Sequence, residues 1–178
     1  MGVYMGKAIE NIVKKRWISL YVENEIGVLA KISGLFSGKS YNMDSLTVGE
    51  TEDETISRMT ISVTSDESTF EQIKKQLNRC VEVIKVVDFT DIPIHMKEIL
   101  FVKINSLNAA EKEEAFRISK VYGINIIDCD RNSLLLECVQ TESKNNAIIK
   151  LLQSSFPNRI EVVKGGSVAI EAISVADR

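Results

Sequence analysis

The alternation of apolar and polar positions predicts a β-α-β-β-α-β order in the first half of the chain. Strands are predicted at residues 17–22 and 43–50, on either side of a helix over residues 27–39. The segment ISRMTISVT alternates apolar with polar side chains, which is typical of a strand with one buried face. A second helix follows Asp66, and VEVIKVVDF is predicted to be the last strand.

The second half of the chain repeats this order at a spacing of about eighty residues, with little identity between the halves. KEILFVKI is predicted to be a strand, and the helix that follows begins after Asn108 and ends at Gly123. INIIDCD and SLLLECVQ form paired strands, SKNNAIIKLLQSS forms the second helix, and RIEVVKGGSVAIEAI completes the set. The chain therefore fits the α+β class, with two ferredoxin-like βαββαβ domains in tandem.

We predict three segments: an N-terminal tail of residues 1–15, a first domain over 16–91 and a C-terminal domain over 96–176. The boundary is placed in DFTDIPIHM, where Pro93 interrupts the pattern. The basic run at residues 14–16 is interpreted as a solvated end of the tail.

Composition narrows the classes of function. The chain has 178 residues, of which 44% are hydrophobic, so it can bury a sizeable core. A formal net charge of -3 and a pI near 5.4 argue against nucleic acid as a partner. The predicted third strands lack the aromatic residues on which RNA-binding sheets stack bases. No apolar run approaches the ~20 residues that span a bilayer, and no secretion signal is recognisable, so we expect no membrane partner and a cytoplasmic location.

Few residues are candidates for catalysis or metal binding. The only histidine, His95, lies in the predicted linker, and the three cysteines form no metal-ligand spacing. The acidic segments TEDET and EKEE are predicted to lie on a turn and on a helix surface, where carboxylates are normally solvated. Gly165 and Gly166 lack the strand-to-helix context of a phosphate loop and favour a turn or bulge. We therefore predict no catalytic residue and no metal site.

The corner ENEIGVL, between the first strand and the first helix, is the strongest candidate for ligand binding. Asn24 can donate and accept hydrogen bonds, and Gly27 lets a ligand approach the backbone. The amides of Gly27, Val28 and Leu29 lie at a helix start, where unpaired N–H groups and the helix dipole favour a carboxylate such as that of an α-amino acid. Helix starts that bind nothing share this chemistry, so the residues alone leave both interpretations open.

Longer segments of the chain resemble a known family in their order and spacing. LYVENEIGVLAKISGLFSGKSYNMDSLTV, TISRMTISV, EQIKKQLNRCVEVIKV and KEILFVKI are similar to the small regulatory subunits of acetolactate synthase (acetohydroxyacid synthase). AFRISKVYGINIIDC and RIEVVKGGSVAIEA resemble the family's second domain more weakly. The resemblance implies that the first domain is an ACT domain. It also implies a chain without an active site that binds and activates a catalytic large subunit and confers feedback inhibition by valine or a related branched-chain amino acid.

The same resemblance implies that the cofactors, thiamin diphosphate, magnesium and FAD, belong to the catalytic subunit, with none on this chain. It further implies a homodimer through the ACT domains, with an effector site between them. The residues carried over by motif position are Asn24, Gly27, Val28 and Leu29 from one domain and Asn42 and Met43, in SYNM, from the other.

Three positions depart from the family pattern. Ser40 stands where a glycine is frequent, Met43 where isoleucine is common, and VKGG replaces an Arg-Thr-Gly sequence near the last strand. The sequence does not decide which branched-chain amino acid is preferred, or whether the chain inhibits the catalytic subunit or only activates it. It also does not decide the stoichiometry with the catalytic subunit or the contacts of the second domain. An alternative from another class is a free-standing ACT-type amino-acid sensor that acts on another enzyme or a transcriptional regulator.

Overall fold

The two halves of the chain form separate α+β units in the computed structural model, which describes residues 12–173. The division falls between Ile92 and Pro93. Each unit follows the β-α-β-β-α-β order and contains an antiparallel sheet, which confirms the predicted fold class.

The first unit contains four strands in the order β2-β3-β1-β4, all antiparallel to their neighbours. Alternate residues of the central strands, such as Ile18 and its partner Ile61, are closed to solvent and form a core with Ile32, Phe36 and Phe70 of the helices. The elements are β1 (Lys14–Glu23), α1 (Val28–Gly38), β2 (Met43–Glu50), β3 (Ile56–Ser65), α2 (Glu67–Leu77) and β4 (Val83–Asp88).

The second unit has a sheet in the order β6-β7-β5-β8, and a short strand β9 pairs with the beginning of β5. Its core includes Leu100 and Leu136 from the sheet and Ile118 and Leu152 from the helices. The elements are β5 (Ile94–Ile104), α3 (Ala109–Tyr122), β6 (Asn125–Cys129), β7 (Leu134–Gln140), α4 (Glu142–Ser155), β8 (Ile160–Lys164) and β9 (Val168–Glu171).

The last segment of the chain differs from the prediction of one closing strand. β8 pairs with residues 100–104 of β5, and β9 pairs with residues 94–97 of the same strand. Between them the amide of Gly165 donates to the carbonyl of Ile99 (2.9 Å), and a Cβ at Gly165 would lie 2.8 Å from Cγ2 of Ile99. A side chain at residue 165 would therefore displace Ile99, which favours glycine where the chain passes close to β5.

The start of β1 also differs from the prediction. Lys14 and Lys15, assigned to the tail, already belong to β1, and residues 1–11 lie outside the described part. Arg16 is not solvated but 3% exposed, because it lies on the same face of β1 as Ile18. Its Nη2 donates to Oε2 of Glu67 (2.6 Å), and its guanidinium lies 4.9 Å from the centroid of the Phe70 ring.

The segment between the two units is shorter than predicted. β5 begins at Ile94, so His95 is an exposed residue within a strand and faces Ile170 of β9. The strand that pairs with the beginning of β5 is β9, which lies about seventy-five residues further along the chain. Because no neighbouring residue reveals this pairing, the local pattern around Pro93 predicts a linker.

Helix α3 begins with a capping box that is also an ion pair. The side chain of Asn108 accepts from the Glu111 amide (2.9 Å), and a carboxylate oxygen of Glu111 accepts from the Asn108 amide (2.9 Å). Arg159 donates to both oxygens of the same carboxylate, at 2.9 and 2.7 Å. The bonds from Arg159 and then from Asn108 lower the pKa of Glu111 from 4.5 to about 2.

The Glu111 carboxylate makes the stability of the second unit sensitive to acid. Because the folded pKa lies below the unfolded one, the stabilisation is complete above pH 4.5 and is lost as the pH falls toward 2. We expect Glu111→Gln to flatten the fall in unfolding free energy over this interval, measured by urea denaturation at a series of pH values. Glu113→Gln, an exposed residue of the same helix, is the control. An unchanged pH dependence in Glu111→Gln would contradict the assignment.

Candidate functional site

The corner between β1 and α1, residues 24–29, has the backbone geometry of an open helix start. Gly27 is the N-cap of α1, with φ 92° and ψ -12°, in the left-handed region that favours glycine, and no side chain caps the helix. Its carbonyl accepts from the Lys31 amide (2.9 Å), and the Val28 amide donates to Glu25 (3.3 Å). Helix geometry leaves the first-turn amides without partners inside the helix, so this end attracts an anion.

The side chain of Asn24 connects the corner by hydrogen bonds to the segment between β2 and β3. Its Nδ2 donates to the carbonyl of Glu54 (2.9 Å) and to Oε1 of Glu50 (3.3 Å). Its Oδ1 accepts from Oγ of Ser57 (2.9 Å), and its amide donates to Thr55 (2.8 Å). The side chain that the sequence offers as a ligand contact therefore makes its hydrogen bonds within the first unit, and its contact with a ligand stays a prediction.

The apolar side chains of the corner point in different directions. Val28 is buried in the core of the first unit, so only its backbone is available to a ligand. Leu29 is 43% exposed and Ile26 is fully exposed. Sequence reasoning missed Ile26, although an apolar residue in a turn, outside the helix stripe, is a signal of contact with something beyond the unit.

The lysine in the first turn of α1 is already paired. Lys31, on the first turn of α1, donates to Glu82 next to β4. This hydrogen bond raises the pKa of Lys31 and lowers the pKa of Glu82. An anion at the corner would therefore depend on backbone amides rather than on a free lysine.

The second group of candidate residues lies where β2 begins. Nδ2 of Asn42 is 3.5 Å from Oδ1 of Asp44, whose other oxygen accepts from Thr64 (2.7 Å). Met43 is half-buried opposite Val63 and packs against the core. Asn42 lines a cleft of about 320 Å³, whose other walls are Val13, Ser40, Tyr41, Thr64, Ser65, Asp66, Thr69 and Ile73.

One copy of the chain does not bring the two groups together. Met43 pairs with Val63, which pairs with Arg16 at the beginning of β1. Glu50 pairs with Ser57, which pairs with Val22 at the other end of β1, next to the corner. A strand rises about 3.3 Å per residue, so the length of β2 separates the groups by about 23 Å.

Ser40, between α1 and β2, has a positive φ of 56°, a conformation that costs an L-residue about 1–2 kcal/mol. The turn is fixed by bonds from the Ser40 amide to Ser37 (3.2 Å) and from the Tyr41 amide to Phe36 (3.0 Å). Glycine takes this backbone without that cost.

Ser40→Gly is expected to raise the free energy of unfolding by about 1 kcal/mol, because the strain relieved exceeds the entropy gained by the unfolded chain. Ser37→Gly, three positions earlier but inside α1, is expected to lower it by about 0.5–1 kcal/mol. Urea denaturation of both variants measures the difference. If both variants were destabilised by the same amount, the proposed backbone strain at Ser40 would be refuted.

Two other classes of site were sought in residues 12–173. No group of three or more His, Cys, Asp or Glu side chains in this range is placed to hold a metal ion. None of the helices within it has the length and apolar character needed to cross a membrane.

Comparison with known proteins connects both units to one protein family. Residues 18–85 match the family model described as "AHAS small subunit-like ACT domain", and residues 97–173 match "Small subunit of acetolactate synthase". The acetolactate synthase small subunit of Aquifex aeolicus is 38% identical over 159 residues, which cover 89% of this chain and 81% of that protein.

Two further relatives agree. The acetolactate synthase small subunit of Haemophilus influenzae is 33% identical over 156 residues, or 88% of this chain and 94% of that protein. The crystal structure of the acetolactate synthase small subunit from Thermotoga maritima superposes with a TM-score of 0.81 at 31% identity, covering 91% of this chain and 99% of that one.

Proposed function

The chain belongs to the family of acetolactate synthase small subunits, and from this premise we propose that it activates a catalytic large subunit and makes it sensitive to valine. Family membership supports a regulatory role in branched-chain amino acid biosynthesis and implies a catalytic subunit as partner. In the proposed holoenzyme, thiamin diphosphate, magnesium and FAD belong to the catalytic subunit, and this chain contributes regulation.

The observation that carries the effector proposal is the left-handed Gly27 at the open N-terminus of α1. The carboxylate of valine would accept from the amides of Gly27 and Leu29 at the positive end of the helix dipole, and from the Val28 amide in place of its 3.3 Å bond to Glu25. Exposed Ile26 and Leu29 offer apolar contact for the branched side chain.

The remaining wall of the site is proposed to come from a second copy of the chain. Asn42 and Met43 lie about 23 Å from the corner of their own copy, so they can complete only the corner of another. A homodimer through the ACT domains supplies this arrangement twice. Asn24 stays in the proposed site as a ligand contact, and its hydrogen bonds to Glu54 and Ser57 would hold the corner in place.

Valine, leucine and isoleucine are expected to be graded effectors. An apolar wall distinguishes side chains that differ by one methylene by only about 1–3 kcal/mol. Half-buried Met43 adds an adaptable contact to that wall. Inhibition then requires that valine bind the inhibited arrangement of the holoenzyme more tightly than the active one.

The test is co-purification of the chain with the catalytic subunit, followed by measurement of acetolactate formation against valine concentration. We expect the catalytic rate to rise on addition of the chain and to fall again as valine saturates it. Calorimetric titration of the chain alone measures valine binding separately. Absence of both activation and valine binding refutes the proposal, whereas valine binding without any association would favour the free-standing sensor.

A further inference from the structure

The face of the first sheet turned away from α1 and α2 carries a row of cations and aromatic rings. Alternate residues of β1 lie on this face, among them Trp17, Ser19 and Tyr21. Arg58 of β3 and Lys85 of β4 stand opposite Tyr21 from the two sides of β1. We call Tyr21, Arg58 and Lys85 the cation–aromatic patch.

The two cations of the patch are held by the same ring. The Cζ atom of Arg58 lies 5.1 Å from the centroid of Tyr21, and Nζ of Lys85 lies 5.8 Å from it. The Nε of Arg58 also donates to Oγ of Ser19 (2.9 Å). Contacts of this length between a cation and an aromatic face are attractive and orient the charged groups.

Neither cation has a carboxylate partner within the described residues. The ion pairs of the first unit include those of Arg16, Lys31 and Lys74, and neither Arg58 nor Lys85 lies within 4 Å of a carboxylate of the described residues. Lys85 is exposed, and Arg58 and Tyr21 are half-buried. The two cations therefore form a partly exposed positive patch beside buried Ser19, in a chain whose formal net charge is -3.

We propose that the cation–aromatic patch docks an acidic segment of the catalytic large subunit. Stacking two copies through this face would bring like charges together, and the net negative charge of the chain disfavours nucleic acid. A carboxylate pairs well with the fork of an arginine, and tyrosine and arginine are enriched where interfaces concentrate binding energy. This inference rests on the proposed function, since it names the surface through which the partner binds.

The experiment compares the full-length chain with the double variant Arg58→Glu/Lys85→Glu in binding to the purified catalytic subunit over a range of salt concentrations. We expect the variant to bind about tenfold to a hundredfold more weakly at low salt and to lose most of the salt dependence. Lys75→Glu/Arg79→Glu, which changes net charge equally at exposed positions of α2 and the turn after it, is the matched control and is expected to bind normally. Circular dichroism and valine titration confirm that both variants keep their fold.

The outcomes distinguish failure of the proposed function from failure of the proposed docking surface. If the unaltered chain fails to bind the catalytic subunit, the proposed function itself fails. If the unaltered chain binds and the patch variant binds equally well with the same salt dependence, only the docking surface is refuted. An equal loss in the control variant would assign the effect to net charge and would also refute the patch. Selective loss in the patch variant, with a smaller loss in Arg58→Lys, which keeps the charge but not the fork, supports it.

Discussion

Replacing Gly27 by aspartate is expected to abolish valine binding and feedback inhibition while activation of the catalytic subunit survives. The new carboxylate would lie at the helix start where the carboxylate of valine is proposed to bind. Like charges brought together in a binding site cost several kcal/mol, so we expect valine affinity to fall by more than about a hundredfold. Titration of valine by calorimetry and inhibition assays of the holoenzyme measure the two effects.

The control for this substitution must keep the backbone strain and remove only the charge. A Cβ at Gly27 meets no atom within 4 Å, so the cost of any side chain here comes from φ 92° alone. Asparagine and aspartate both tolerate the left-handed region better than other L-residues, and they are nearly equal in shape. Gly27→Asn is therefore expected to retain much more valine affinity than Gly27→Asp.

Three results would separate a ligand site from a structural corner. Equal losses of valine affinity in both variants would point to the backbone of Gly27 rather than to its surroundings. Loss of activation together with inhibition would mean that the corner supports the fold of the first unit. Unchanged valine binding in Gly27→Asp would remove the corner from the site altogether.

The fold could be predicted from the sequence wherever its signal is local. β2 has the predicted limits, Met43–Glu50, and α1 ends within one residue of the prediction, because side-chain periodicity and turn residues decide both. The start of β1 and the division of the last segment into β8 and β9 depend on partners far along the chain. Lys14 belongs to a strand because Ser65 pairs with it, and no pattern around Lys14 contains that information.

In the candidate site, too, local features could be predicted from the sequence, whereas features that depend on distant partners could not. Gly27 could be identified as the helix start from its neighbours, and the structure gives it a left-handed backbone. The hydrogen-bond partners of Asn24 could not be predicted, since Glu54 and Ser57 are brought to it by the pairing of β1 with β3. The distance between the corner and Asn42 likewise depends on register, which is a property of the assembled sheet.

Two defective variants are expected to restore valine binding when they are combined in one dimer. Gly27→Asp damages the corner, and Asn42→Asp damages the segment proposed to face the corner of the other copy. Each homodimer then has two damaged sites and should not bind valine. In the heterodimer one site collects both substitutions, while the other combines an unaltered corner with an unaltered Asn42.

The heterodimer, isolated by co-expression with two different affinity tags, should bind one valine per dimer with the affinity of the unaltered chain, which should bind two. Valine binding recovers only if each site is built from both copies of the chain. If each site were built within one copy, both sites of the heterodimer would carry a substitution and neither would bind valine. Thermal unfolding of each variant establishes that Asn42→Asp keeps its fold beside Asp44. Within one copy, the length of β2 separates Asn42 from the corner by about 23 Å. A heterodimer that does not bind valine would therefore mean that Asn42 affects the corner indirectly or not at all.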